Sequence, residues 1–254
     1  MKLPLIPRDP ETGRMMARLS GRIMRASLLG LLLAAVLFTL WPGLDLIISG
    51  QFGSRSDAFP VARSIVGQGW RQFFIASTSG VMVLVLILLI AVMIARRRRV
   101  ARWCDCRAMG FAIAAYAIGP GLLINVLLKD HWGRARPVQI TDFGGWAQFT
   151  PPLSLTDQCL RNCSFASGEG SALAAMALIV LLLIWPRLTA RGRMVAGGVA
   201  ATYVVAGSML RVAFGGHFVS DVVFAALLMG VVVPAIYRMF LPRPAASPAR
   251  PALH

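Results

Sequence analysis

Six stretches of this chain stay apolar for long enough to cross a bilayer, near residues 24–44, 73–95, 108–128, 169–186, 194–212 and 217–240. A helix spanning the hydrocarbon core takes ~20 such residues, so the fourth and fifth runs are at the short end. The pattern predicts an all-α, polytopic membrane protein with six transmembrane helices. Residues 1–22 form a basic lead-in, 23–241 the membrane domain and 242–254 a Pro/Ala-rich tail without a folding pattern. A cleaved signal peptide is the competing reading for residues 1–43. Its basic region would be too long and no small-residue cleavage site follows, whereas Trp41-Pro42 reads as an interfacial exit. Between the first two spans, residues 50–72 read as an outer loop with an amphipathic segment on the membrane. Residues 138–166, the longest stretch between spans, read as a lid or headgroup-binding loop.

Composition agrees with lipid as the solvent: 57% of residues are hydrophobic and 14% charged. The formal net charge of +16 resembles a nucleic-acid footprint until its distribution is followed. The basic residues cluster between apolar runs rather than along one polar face, which excludes that partner. Eighteen of the 26 Lys and Arg lie up to Arg25, in 96–107, in 187–193 and in the tail; eight lie in the alternate set of loops. Cytoplasmic loops are enriched in Lys and Arg, so both termini are expected in the cytoplasm and the alternate loops outside. The excess charge also attracts anionic headgroups.

The chemistry-bearing residues gather at the outer ends of the spans. In RVAFGGHFVSD, His217 and Asp221 lie one helical turn apart, and Asp221 reaches back toward the ring. A carboxylate there would hold one ring nitrogen as N–H and leave the other free as base or nucleophile. Arg211 adds a fixed fork suited to phosphate. In LLKDHWGRARP, three cations (Lys129, Arg134 and Arg136) fall on the side that should be poor in them, which favours an anion site over snorkelling flank charge. In SFASGEG, Ser167 reads as an N-cap, Gly168 permits close backbone approach, and Glu169 sits in the first turn beside amides that attract anions. His131 and His254 carry no pattern, and Asp45 reads as interfacial. With only three histidines and acids scattered away from them, no metal site is expected. Cys104 and Cys106 should stay reduced on the cytoplasmic side. Cys159 and Cys163 suit either a small disulfide loop in an oxidising compartment or two free thiols on a helix.

Cations, a helix N-terminus and an oriented histidine suit phosphoryl transfer, where positioning and charge neutralisation do the work. A Ser167–His217–Asp221 hydrolase leaves the cations unexplained. A coupled transporter would place ionisable groups mid-membrane, and these sit at helix ends. A non-catalytic protein that binds or moves a phosphorylated lipid is the reading from another class.

The spacing Lys129, six residues, Arg136-Pro137; then Ser167-Gly168; then Arg211, five residues, His217, three residues, Asp221 resembles the signature of the type 2 phosphatidic acid phosphatase family, over roughly residues 70–240. Those are membrane lipid phosphatases related in site design to vanadium haloperoxidases. The resemblance implies a cofactor-free enzyme facing the periplasm of the bacterial inner membrane. It implies His217 as nucleophile with Asp221 as its orienting partner, and Lys129, Arg136, Ser167, Gly168 and Arg211 around the phosphate. It departs from the family at three positions. Ala166 stands where the family has a proline, Glu169 where it has a general-acid histidine, and Leu210 where it has a serine; either Glu169 is the catalytic acid/base in that histidine's place, or another group or water protonates the leaving oxygen. The wording KDHWGRARP and NCSFASGE is similar to a lipid A phosphatase subgroup. Undecaprenyl pyrophosphate and phosphatidylglycerol phosphate are the alternative substrates.

Overall fold

The computed structural model describes residues 5–95 and 105–242. Among them every regular element is helical, and six helices are long and apolar enough to cross a membrane. In chain order these are α1 (Pro10–Leu40), then the short α2 (Gly43–Ser49), then α3 (Ile65–Ile94), α4 (Cys106–His131), α5 (Gly168–Arg187), α6 (Ala190–Ala213) and α7 (Val219–Met239). The 96–99 arginine run, Cys104 and the Pro/Ala-rich tail with His254 lie outside the described residues.

The last three spans match the expected runs closely, and the first three start earlier or run further. α1 starts at Pro10, well before residue 24. Asp9 caps it by accepting from the Thr12 amide at 2.7 Å, and Pro10 occupies the first helical position. Those are helix-start signals independent of hydrophobicity. The expected amphipathic surface segment is instead the opening of α3, whose Ser64 cap accepts from the Gly67 amide at 2.9 Å. Nothing after Ser64 breaks the helix, so Trp70 and Arg71 become part of the span; a π-helical stretch over Ala76–Gly80 carries the chain into its apolar half.

The central helices are α5 and α7, more than half buried along their apolar windows, whereas α1, α3 and α6 are mostly exposed. Small residues let α5 pack on all sides: Ser171, Ala172, Ala174 and Ala175 are buried. At Gly230 of α7, a side chain would collide with Ser27 of α1, 2.1 Å from its hydroxyl, so only glycine allows this crossing. Leu28, Leu32 and Leu33 of α1, and Val83 and Ile87 of α3, face outward, as lipid-facing residues must.

Residues 138–166 do not form a free lid. Ile140, Phe143 and Ala147 bury against Phe59, Ala135 and Phe218, closing the helix ends with a small second core. Trp146 remains 73% exposed on its outer side. The Cys159–Cys163 disulfide is formed, with Cα atoms 5.6 Å apart. The loop it closes is fixed in place, because the Cys163 amide donates to the Lys129 carbonyl at 3.1 Å and the Asn162 amide to Asp130 at 3.2 Å.

Candidate active site

α4 ends, α5 begins, α6 ends and α7 begins at one end of the bundle, and their termini carry the residues singled out by sequence. Ser167 caps α5: its hydroxyl accepts from the Gly170 amide at 3.1 Å. Gly168 follows, and a side chain there would start 2.4 Å from the Asn125 amide oxygen and 3.2 Å from the Lys129 ammonium. The absent Cβ is therefore what brings Lys129 against the amide-rich start of α5, where an anion is favoured. Arg211, at the end of α6, lies against Gly216 in the turn before His217; a side chain at Gly216 would meet its guanidinium at 2.4 Å.

Asn162, at the tip of the disulfide loop, links the first motif to this cluster. Its side-chain oxygen accepts from Lys129 at 3.2 Å, and its carbonyl from Arg136 at 2.7 Å. A single loop residue thus sets two cations. Lys129, Gly168, Glu169 and Arg211 line one cleft of about 320 Å³ between α3, α4, α5 and α6. Its walls include the apolar Phe74, Ile75, Pro120, Leu173 and Leu210 beside the hydroxyls of Thr78, Ser79 and Tyr116. Ser167, Arg136 and His217 do not line that cleft and sit beside it.

His217 lies in the turn before α7 and is 2% exposed. Its Nδ1 is 2.8 Å from the Ser164 carbonyl and 3.8 Å from Asp221. A carbonyl only accepts, so Nδ1 carries the proton and Nε2 keeps its lone pair. Burial pushes the ring down to about 4, and the charges of Lys129 and Arg211 depress it further, against the pull of Asp221. The free nitrogen expected from the His217–Asp221 spacing is present, but the direct partner is the Ser164 carbonyl.

Asp221 is one step removed because its carboxylate is already occupied. It accepts from the Phe218 amide at 2.8 Å, the Ser164 hydroxyl at 2.5 Å and Arg134 at 2.6 Å. It therefore holds Ser164, and Ser164 holds the ring. Arg134 does not join the anion site with Lys129 and Arg136, as the sequence suggested. It is fully buried and also donates to Asp45 at 2.8 Å and to the Ser220 hydroxyl at 2.8 Å. Asp45 corrects a second expectation: it is buried rather than interfacial, and accepts from the Ser220 amide and hydroxyl at 2.9 and 2.6 Å. Burial pushes its carboxyl up while Arg134 pulls it down.

Glu169 meets a residue that no motif announced. Arg71 of α3 donates to Oε1 at 2.8 Å through its terminal nitrogen and at 3.3 Å through Nε, and Arg211 stands 3.3 Å from Oε2. One carboxylate thus bridges two guanidiniums inside the cleft. Arg71 is a lone arginine near the start of a span, and only its position opposite Glu169 reveals it. Asn162 was equally silent in sequence.

Comparison with known proteins agrees with this arrangement. Residues 108–244, more than half of the chain, match the PAP2 superfamily. The chain is 34% identical over 211 residues to the lipid A 4'-phosphatase of Rhizobium leguminosarum, covering 78% of this chain and 88% of that protein. It is 38% identical over 136 residues to the lipid A 4'-phosphatase of Francisella tularensis subsp. novicida (strain U112), covering 52% of this chain and 58% of that one. It is 44% identical over 130 residues to the lipid A 4'-phosphatase of Rhizobium etli, covering 51% and 49%. No solved structure matches it. With three correctly spaced motifs at one end of a six-helix bundle and a family match across four of those helices, this chain belongs to the PAP2 superfamily.

Proposed function

We propose that the protein is a membrane phosphatase that removes a phosphomonoester from lipid A, through a phosphohistidine on His217. The observation that carries this is the meeting of Lys129 with Gly168, and of Arg211 with Gly216, at the turn that holds His217. The three relatives described above, all lipid A 4'-phosphatases, favour lipid A over undecaprenyl pyrophosphate or phosphatidylglycerol phosphate.

In this reading Lys129, Arg136 and Arg211, with the Gly168 amide, hold the phosphate oxygens. Such donors act where charge develops and need no reorganisation. The Nε2 lone pair of His217 attacks phosphorus, the P–N bond forms and the bond to the lipid oxygen breaks. That oxygen takes a proton from water in the cleft. The hydroxide left behind attacks the phosphohistidine, the P–N bond breaks, and inorganic phosphate leaves with His217 neutral again. Asp221 and Ser164 keep the ring oriented and its Nδ1 protonated throughout.

Glu169 fits the role of orienting that water. As a carboxylate bridged by two guanidiniums it is a poor acid and a good acceptor. When phosphate takes Arg211, Arg71 remains to hold Glu169 beside the site. The Arg71–Glu169 pair thereby takes over a place that in the family belongs to a histidine. The site is read as facing the periplasm from the inner membrane, in keeping with the charge distribution and with a formed disulfide beside it.

The test is phosphate release from lipid A, undecaprenyl pyrophosphate and phosphatidylglycerol phosphate by the purified protein and by His217→Ala. Release from lipid A that disappears with His217 is expected. Unchanged activity in His217→Ala, or turnover of none of the three, would overturn the proposal.

A further inference from the structure

A second basic cluster lies at the other end of the bundle, opposite the catalytic cleft. Arg14, Arg18 and Arg22 recur at four-residue intervals, so they form one stripe along α1. They line a cleft of about 730 Å³ that is closed on its far side by Trp185 and Arg193, from the junction of α5 and α6. Arg18 and Arg22 also line a second cleft of about 540 Å³, completed by Arg238 from the last turn of α7. Arg14, Arg18 and Arg22 are exposed, and among the described residues none of the three has a hydrogen-bond or ion-pair partner. The one acid at the rim is Glu11. Arg193, by contrast, is anchored: it donates to the Trp185 carbonyl at 3.3 Å and lies 5.6 Å from the Trp185 ring.

Topological charge alone needs only a number of basic residues in a loop. It does not ask for a stripe on one helix face, aimed into clefts that two other helices complete with arginines. Depth is equally specific. Arg22 to Leu40 is about 27 Å of helix, close to the thickness of the hydrocarbon core. With Leu40 at one boundary, Arg22 lies at the other, and Arg18 and Arg14 follow at about 6 Å per step through the headgroup layer. Trp185 is the kind of ring that sits at that level.

We propose that these clefts bind the headgroup of an anionic phospholipid from the leaflet opposite the catalytic site, with its phosphates between the α1 arginines and Arg193 or Arg238. The lipid ties α1 to α5, α6 and α7. Two clefts sharing Arg18 and Arg22 suit a headgroup carrying two phosphates better than one. The proposal is independent of the catalytic reading.

The experiment is native mass spectrometry of the full chain in detergent, titrated with cardiolipin or with phosphatidylethanolamine. The parent is expected to retain cardiolipin far better than phosphatidylethanolamine. The triple variant Arg14→Gln/Arg18→Gln/Arg22→Gln should bind cardiolipin roughly a hundredfold more weakly, and Arg18→Gln alone roughly fivefold, as expected for loss of arginines facing anionic lipid. The single variant keeps the test alive if the triple one does not fold. Equal binding by parent and variants, or equal retention of the zwitterionic lipid, would overturn the proposal. Displacement of cardiolipin by equimolar inorganic phosphate would also overturn it, because the site would then take free phosphate. Arg211→Gln should leave cardiolipin bound; its loss there would place the lipid in the catalytic cleft and refute the assignment.

Discussion

Two ion clusters flank His217, and they are mirror images in charge. On one side a single guanidinium, Arg134, holds two carboxylates, Asp45 and Asp221, and none of the three side chains is exposed. On the other a single carboxylate, Glu169, holds two guanidiniums, Arg71 and Arg211, at the wall of an open cleft where Arg71 and Glu169 are each about 30% exposed. The dry cluster has no room for exchange, and its members also bond to Ser164 and Ser220, so it fixes the backbone around the histidine. The wet cluster has an anion that another anion can displace. In the proposed reaction the first serves position and the second turnover, and nothing in the residue types alone separates them.

The sharpest way to break the comparison is to cut each cluster at its centre. Removing the proposed nucleophile, His217→Ala, should abolish phosphate release, measured as inorganic phosphate from lipid A in detergent. Arg134→Ala leaves two buried carboxylates without their counter-charge and should cost about 3–5 kcal/mol of stability, read as a large fall in thermal unfolding temperature together with loss of activity. Arg71→Ala should leave the fold intact and lower kcat/KM roughly tenfold to a hundredfold, the worth of one charged hydrogen bond, ~1.5–3 kcal/mol. Glu169→His should make activity less dependent on Arg71. A double-mutant cycle reads this as non-additivity, and strict additivity would mean that the pair does not work as a unit.

Acid sharpens the contrast further. Burial pushes the His217 ring down to about 4, against 6.5 for the free side chain. Between those values the unfolded chain takes up a proton that the folded site refuses, so this residue's contribution to stability falls as pH drops through that window. Within that window the folded ring stays neutral, as the proposed attack on phosphorus requires. Histidine ring NMR should show no titration of His217 until about pH 4, and a midpoint near 6.5 would mean a solvated ring. The smallest effect concerns the loop beside Lys129. Replacing Cys159 and Cys163 with serine should cost about 2 kcal/mol and raise KM, because Asn162 positions both Lys129 and Arg136.

The sequence was most legible where the physics is local. Long apolar runs gave six spans, and the three motifs gave Lys129, Arg136, Ser167, Gly168, Arg211 and His217 at the same end of the bundle. Capping is local too, but it does not coincide with hydrophobicity: Asp9-Pro10 starts α1 fourteen residues before the apolar run at residue 24. The partners of the site are legible only in three dimensions. Arg134 and Arg136 stand two residues apart in one loop, and what separates their roles is Asp45, 89 residues upstream of Arg134. Arg71 and Glu169 are 98 residues apart, and neither spacing nor composition connects them. The spacing of His217 and Asp221 predicts a direct pair, and the structure holds them 3.8 Å apart. The direct contact goes to the Ser164 carbonyl because Arg134 and the Ser164 hydroxyl had claimed the carboxylate.

Rapid acid or alkaline quench of the protein during turnover of ³²P-labelled lipid A tests the central claim most directly. The account predicts label bound covalently to the protein, stable in alkali, lost in acid, mapped to His217 and absent from His217→Ala. Turnover of the labelled lipid with no protein-bound phosphate at any quench time, or with the label on Ser167, would contradict it.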